Sequence, residues 1–137
     1  MNAATPARVL FIDDATPRRP LMCKLLQTHY EVMEAAEYRQ AIEKVTIFAP
    51  DIIVISQNLS VLSGVALTRK LQTELKLAQP IILMGETLSN VLPADINVTR
   101  LLFPPRPEGN DPWDVKTLEE RIEQLLPADK QRKAETA

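Results

Sequence analysis

Apolar residues along this chain fall into two alternating patterns, short continuous runs and stripes at helical spacing. Arg8-Val9-Leu10-Phe11-Ile12 is apolar and stops at Asp13-Asp14, the pattern of a buried first strand. Leu21, Met22, Leu25 and Leu26 recur at helical spacing. Pro20 suits the first turn of that helix, and Pro17 the turn before it. Tyr30 to Glu34 alternates and predicts a second strand, at a sheet edge. Tyr38, Ala41, Ile42, Val45 and Phe48 form the stripe of a second helix, which Pro50 stops.

Asp51 to Ile55 is β-branched and apolar on both faces, as in a central parallel strand covered by helices on both sides. Leu67, Leu71 and Leu75 mark a third helix, and Pro80 to Met84 a fourth strand closed by Gly85. Glu86 to Val98 is short and interrupted by Pro93, so the fourth helix is expected to be shortened or irregular. Arg100 to Phe103 reads as a fifth strand. Pro104, Pro105, Pro107 and Gly109 then make an irregular loop. The last helix has Asp111 as N-cap, Pro112 as first residue and Asp114 at the third position. Its buried stripe is Val115, Leu118, Ile122 and Leu125, and Pro127 ends it.

Alternating β and α elements with crossovers of helical length predict a parallel, doubly wound α/β sheet. A length of 137 residues suits one core. The expected bounds are an extension over 1–7, the domain over 8–126, and a tail or linker over 127–137. In this architecture chemistry sits at the carboxyl ends of the strands. Those ends carry Asp13-Asp14, Ser56, Gly85 and Phe103.

Composition narrows the function classes. A net charge of −2 points to neither nucleic acid nor an anionic membrane as a partner. No apolar run is long enough to span a bilayer. Met1 to Ala7 lacks the pattern of a secretory signal. One cysteine, Cys23, and one histidine, His29, exclude an internal disulfide and a Cys/His zinc site made by this chain alone. The expected compartment is the cytoplasm.

The strand-end residues carry a resemblance. Asp13-Asp14 resembles the acidic pair of response-regulator receiver domains, the CheY-like modules of two-component and phosphorelay signalling. Ala35 to Ile42 (A-A-E-Y-R-Q-A-I) is similar to the motif opening that family's second helix, with Tyr38 where Gly is frequent. Asp51 to Gly64 resembles the strand and loop that carry the phosphoacceptor, and the step from Ser56 to Gly64 matches the step from acceptor Asp to loop Gly. Leu102-Phe103-Pro104 lies where the family has a Lys-Pro step. The resemblance covers residues 8 to 126. It implies a flavodoxin-like sheet of five parallel strands in the order 2-1-3-4-5.

It also implies a chemistry that this chain departs from. Receivers use a carboxylate to accept phosphoryl, acidic residues to hold Mg²⁺, and a hydroxyl and an ammonium to hold the phosphoryl oxygens. Ser56 stands at the acceptor position, and a hydroxyl is a poor nucleophile without a base. Gly85 replaces the hydroxyl residue, and Glu86 beside it would repel a phosphoryl group. Phe103 replaces the cation. The expectation is a pseudo-receiver that takes up no phosphoryl from a histidine kinase.

Several residues admit a plainer reading beside the sharper one. Asp13 and Asp14 are either a weak Mg²⁺ site or a polar strand end that caps the next turn; no other cofactor is expected. Ser56 reads as hydrogen-bonded filler rather than a kinase target. Cys23, beside core positions of the first helix, reads as buried and inert. His29 near that helix's end suits its carbonyls or its dipole. Trp113 is either packed on the preceding loop or an interface anchor. Pro104 to Pro107 reads as a rigid loop rather than a ligand segment, and Arg100 and Arg106 are too few to bind a nucleotide.

The leading expectation is a non-enzymatic receiver that binds a protein partner or regulates an attached output domain, with a homodimer as one form. The alternative is a sensor of a small ligand or nucleotide in the remodelled cleft. An enzyme of flavodoxin-like fold would need a nucleophile–base pair or a cofactor loop, and the sequence offers neither.

Overall fold

Five β-branched or apolar runs become five parallel strands in the computed structural model, which describes residues 6–16, 18–57, 59, 61–85, 95–102 and 115–131. The strands are β1 (Arg8–Ile12), β2 (Glu31–Ala35), β3 (Ile52–Ser56), β4 (Ile81–Gly85) and β5 (Thr99–Leu102). They lie in the order β2-β1-β3-β4-β5, with every neighbouring pair parallel. This is the CheY-like, flavodoxin-type doubly wound sheet that the resemblance implied. The helices are α1 (Arg18–Leu26), α2 (Tyr38–Phe48), α3 (Gly64–Arg69) and α4 (Val115–Leu125).

Side-chain alternation sorts the core into two layers. Val9, Phe11, Ile52, Val54, Ile82 and Met84 pack with Met22, Cys23 and Leu26 of α1 and Leu118 and Ile122 of α4. Leu10, Ile12, Ile53, Ile55, Ile81 and Leu83 pack with Ala41, Val45 and Phe48 of α2, Leu67 of α3 and Leu71 in the turn that follows it. β3 and β4 are buried at every residue, as a central strand covered on both faces must be. Truncating such a side chain, Phe11→Ala for instance, costs about 3–5 kcal/mol. β2 is an edge strand, and its charged Glu31 and Glu34 discourage further strand pairing.

Local chemistry sets the helix ends. The Glu37 carboxylate accepts from the Arg39 N–H at 2.8 Å and the Ser63 hydroxyl from the Ala66 N–H at 3.1 Å. Ala49 closes α2 with φ 51°, its N–H bonded to the Val45 carbonyl, so a left-handed cap ends this helix before Pro50 is reached. After Arg69 the third helix widens into a π-helical turn over Lys70–Glu74, in which the Leu75 N–H reaches back five residues to the Lys70 carbonyl.

Some expectations shift. β1 spans the expected residues, β2, β3 and β4 run one residue later than the apolar runs suggested, and β5 runs one residue earlier. The buried stripe of α1 is Met22, Cys23 and Leu26, whereas Leu21 and Leu25 are over one-third exposed. Leu21 and Leu25 form one column and Met22 and Leu26 the column next to it, turned by about 100°, and the second column with Cys23 is the one that meets the sheet. His29 is not on α1, which ends at Leu26. It lies in the turn before β2, and its Nδ1 is 3.0 Å from Glu119 of α4 rather than at α1's carbonyls. The expected cap at Asp111, with Pro112, Trp113 and Asp114, falls outside the described residues, as do the loop Pro104 to Gly109 and the segment 86–94.

Candidate functional site

The carboxyl ends of β1, β3 and β4 bring Asp13, Ser56 and Gly85 to one rim of the sheet. The β1–β3 register pairs Ile12 with Ile55, and its next step sets Asp13 beside Ser56. Both continue the face that carries Phe11 and Val54. Asp13 is fully buried and Ser56 is 1% exposed. Ser56 pairs with Met84 in the β3–β4 ladder, and the Gln57 N–H donates to the Met84 carbonyl at 2.8 Å.

Gly64 explains the spacing from Ser56. Its N–H donates to the Gln57 carbonyl at 2.9 Å, which folds the loop back onto the strand end. A Cβ at Gly64 would lie 2.3 Å from the Ser56 carbonyl oxygen and 2.8 Å from the Gln57 Cα. Only glycine permits so close an approach of helix start to strand end.

Asp13 is not open at this rim. Arg18, the first residue of α1, donates from Nε to Asp13 Oδ2 at 2.7 Å and from Nη2 to Oδ1 at 3.0 Å. The Ala15 N–H donates to Oδ1 as well, at 3.1 Å. Both carboxylate oxygens are therefore engaged in a bidentate fork. Arg19 adds a second cation: its Nη1 donates to the Asp13 carbonyl at 3.0 Å and its Nε to Glu34 of β2 at 2.8 Å. Two arginines opening a helix oppose the positive end of its dipole, and Asp13 and Glu34 offset that cost. The pattern was present in the sequence as Arg18-Arg19 at a predicted helix start, which itself calls for nearby carboxylates.

Ser56 departs from the filler reading. Its Oγ is buried without a hydrogen-bond partner, as is Gln57 Oε1, among the described residues. A buried polar atom left unpaired costs about 1–3 kcal/mol. Cys23 faces the same layer, and burial, reinforced by Glu34, pushes its thiol up to about 12, so it is inert as a nucleophile. Asp14 is half-buried. Phe103 lies outside the described residues.

The resemblance implies Mg²⁺ at this strand end. A hard dication needs several oxygens in near-octahedral array. Both Asp13 oxygens accept from Arg18 and Ser56 offers a neutral hydroxyl, which leaves half-buried Asp14 as the further carboxylate of this strand end. Among the described residues no group of three or more His, Cys, Asp or Glu side chains is arranged to hold a metal. The residues described do not fit the ion.

Comparison with known proteins places this rim in context. The family model described as the response regulator receiver domain matches residues 9–95. Solved structures agree over nearly the whole chain. Vibrio cholerae CheY4, a chemotaxis protein, is similar with a TM-score of 0.70 and 23% identity over 89% of this chain and 100% of that one. The receiver domain of the hybrid histidine kinase CckA gives 0.68 and 26%, covering 88% and 100%. The response regulator domain of Thermotoga maritima CheB gives 0.69 and 19%, covering 88% and 96%. No curated protein matches the chain significantly.

Proposed function

Since the chain belongs to the response-regulator receiver family, we propose that it is a two-component signalling receiver that works without aspartyl phosphorylation. The observation that carries this reading is the pair at the top of β1 and β3. A buried serine hydroxyl stands at the acceptor position, beside a carboxylate already bound by arginine. A serine needs an adjacent base to become a nucleophile, and the only histidine of the chain is engaged with Glu119 of α4. Gly85 and Phe103 add neither hydroxyl nor ammonium to hold phosphoryl oxygens. No residue is assigned a catalytic role.

Its output then runs through contact with protein, either a separate partner, an attached output domain or a second copy. CckA and CheB support this by their names, since the similar structures are a receiver domain of a hybrid histidine kinase and a response regulator domain of CheB. No helix among the described residues is long and apolar enough to cross a membrane, and the reading places the chain in the cytoplasm. Incubation with acetyl phosphate, or with a phosphorylated histidine kinase, followed by intact-mass measurement tests the central claim. The expected result is no phosphoryl adduct; stoichiometric labelling of any residue defeats it.

One observation favours a second reading, a sensor of a small ligand. The unpaired Ser56 Oγ and Gln57 Oε1 are the kind of buried acceptors that a polar ligand satisfies. Any ligand of the native state raises the melting temperature by mass action. A flat thermal-shift screen across nucleotides and small amides removes this reading.

A further inference from the structure

We infer that Arg18 is a built-in counter-cation that takes the place of a divalent metal at the rim of the sheet, closing the cleft to Mg²⁺ and fixing its charge. The inference goes beyond the preceding reading, which concerns phosphoryl uptake, and the two fail separately.

The geometry supports replacement rather than coexistence. Asp13 is fully buried and forms an ion pair with Arg18, whose side chain is 18% exposed. Nε and Nη2 each face one oxygen, at 2.7 and 3.0 Å. That fork leaves Asp13 with a neutral sum, and the Ala15 N–H takes a further share of Oδ1. A metal ion would have to strip Arg18 from this carboxylate. The displaced guanidinium, tethered at the start of α1, would remain next to the incoming dication and repel it. Arg19, fixed between the Asp13 carbonyl and Glu34, adds a second positive charge at the same strand end.

Solvation favours the same outcome. Guanidinium is weakly hydrated, always charged and shaped for two parallel hydrogen bonds to a carboxylate. Mg²⁺ sheds water reluctantly and demands ideal geometry. At a buried rim the arginine loses less hydration and needs only the one carboxylate. A magnesium ion here would find a neutral hydroxyl at Ser56 and an Asp13 already held by Arg18, with half-buried Asp14 as the remaining carboxylate of the acidic pair. The rim therefore holds a constant charge whatever the metal supply, unlike a cleft whose charge follows Mg²⁺ occupancy.

The test titrates the full chain with Mn²⁺, reading free Mn²⁺ by its electron paramagnetic resonance signal, and melts it in rising MgCl₂. Wild type is expected to take up no Mn²⁺ and to keep its melting temperature. Arg18→Ala frees Asp13 and is expected to gain Mn²⁺ affinity by about tenfold or more, the lower end of what a close charge pair is worth. Adding Asp13→Asn to that variant abolishes the gain. If Arg18→Ala does not fold, Arg18→Gln, which keeps the stem's packing, takes its place. Recovery of a fold only in Mn²⁺ counts as the same gain. Wild-type uptake of Mn²⁺ that Asp13→Asn removes overturns the inference, as does a folded Arg18 variant that binds no more Mn²⁺ than wild type. Either result leaves the absence of a phosphoryl adduct untouched.

Discussion

At the amino-terminal end of the sheet, Arg8 spreads its charge over several partners. Its side chain donates to the Phe48 carbonyl at 2.7 Å, approaches Glu31 at 3.3 Å and lies 5.4 Å from the Phe48 ring centroid. Its N–H meets Asp51 Oδ2 at 2.8 Å, and Asp51 is 3.7 Å from Lys130. At the carboxyl end, Arg18 concentrates on one fully buried carboxylate, and the strand beside it carries an unpaired hydroxyl. The first arrangement is redundant and half-exposed, so it behaves as a staple. The second is centred on a buried carboxylate, so the loss of the arginine leaves that charge without its cation.

Removing the two arginines separates these ends most sharply. Arg18→Ala strands a buried charge and is expected to cost about 3 kcal/mol or more in urea unfolding. Arg8→Ala, with its side chain 40% exposed, is expected to cost about 1 kcal/mol, the scale of one hydrogen bond. Equal losses would erase the distinction. Gly64→Ala comes next: a Cβ 2.3 Å from the Ser56 carbonyl forces the loop off the strand, at about 1–3 kcal/mol. A variant as stable as wild type would mean that the rim is looser than its contacts suggest.

Ser56→Ala sharpens the contrast through its sign. Deleting an unpaired buried hydroxyl is expected to leave stability unchanged or raise it by up to about 1 kcal/mol; a loss beyond that would show that the hydroxyl has a partner in solution. Near neutral pH the smallest effect is at Cys23. Its native thiol is pushed up to about 12, while an unfolded thiol titrates near about 8.5. Between those values the unfolded chain holds fewer protons, so stability falls as pH rises and is unaffected below that window. Alkylation of the native protein at pH 8 should be slow; rapid labelling would contradict its burial.

The fold was legible because its signals are local. The all-apolar β3 run needs two covering layers, and the stripes of α2 and α4 name the faces that supply them. Strand-end positions followed from the doubly wound pattern, so Asp13, Ser56 and Gly85 could be placed together in advance. The ion pair could not, because whether Arg18 meets Asp13 depends on where α1 begins relative to the end of β1. The exposure of Leu21 and Leu25 was hidden for a similar reason, since a stripe of leucines does not say which of two neighbouring columns meets the sheet. The orphaned Ser56 Oγ is a matter of distances, to which residue type is blind.

The wide turn at Lys70–Glu74 has a consequence for how this chain tolerates change in length. A backbone bond spanning five residues accommodates one residue more than a regular helical turn. Deleting a single amino acid there would tighten the coil to ordinary pitch and leave Leu67 and Leu71 in place against the sheet. Elsewhere in a packed helix the same deletion would rotate every following side chain off its neighbours, so this turn is where the helix has slack.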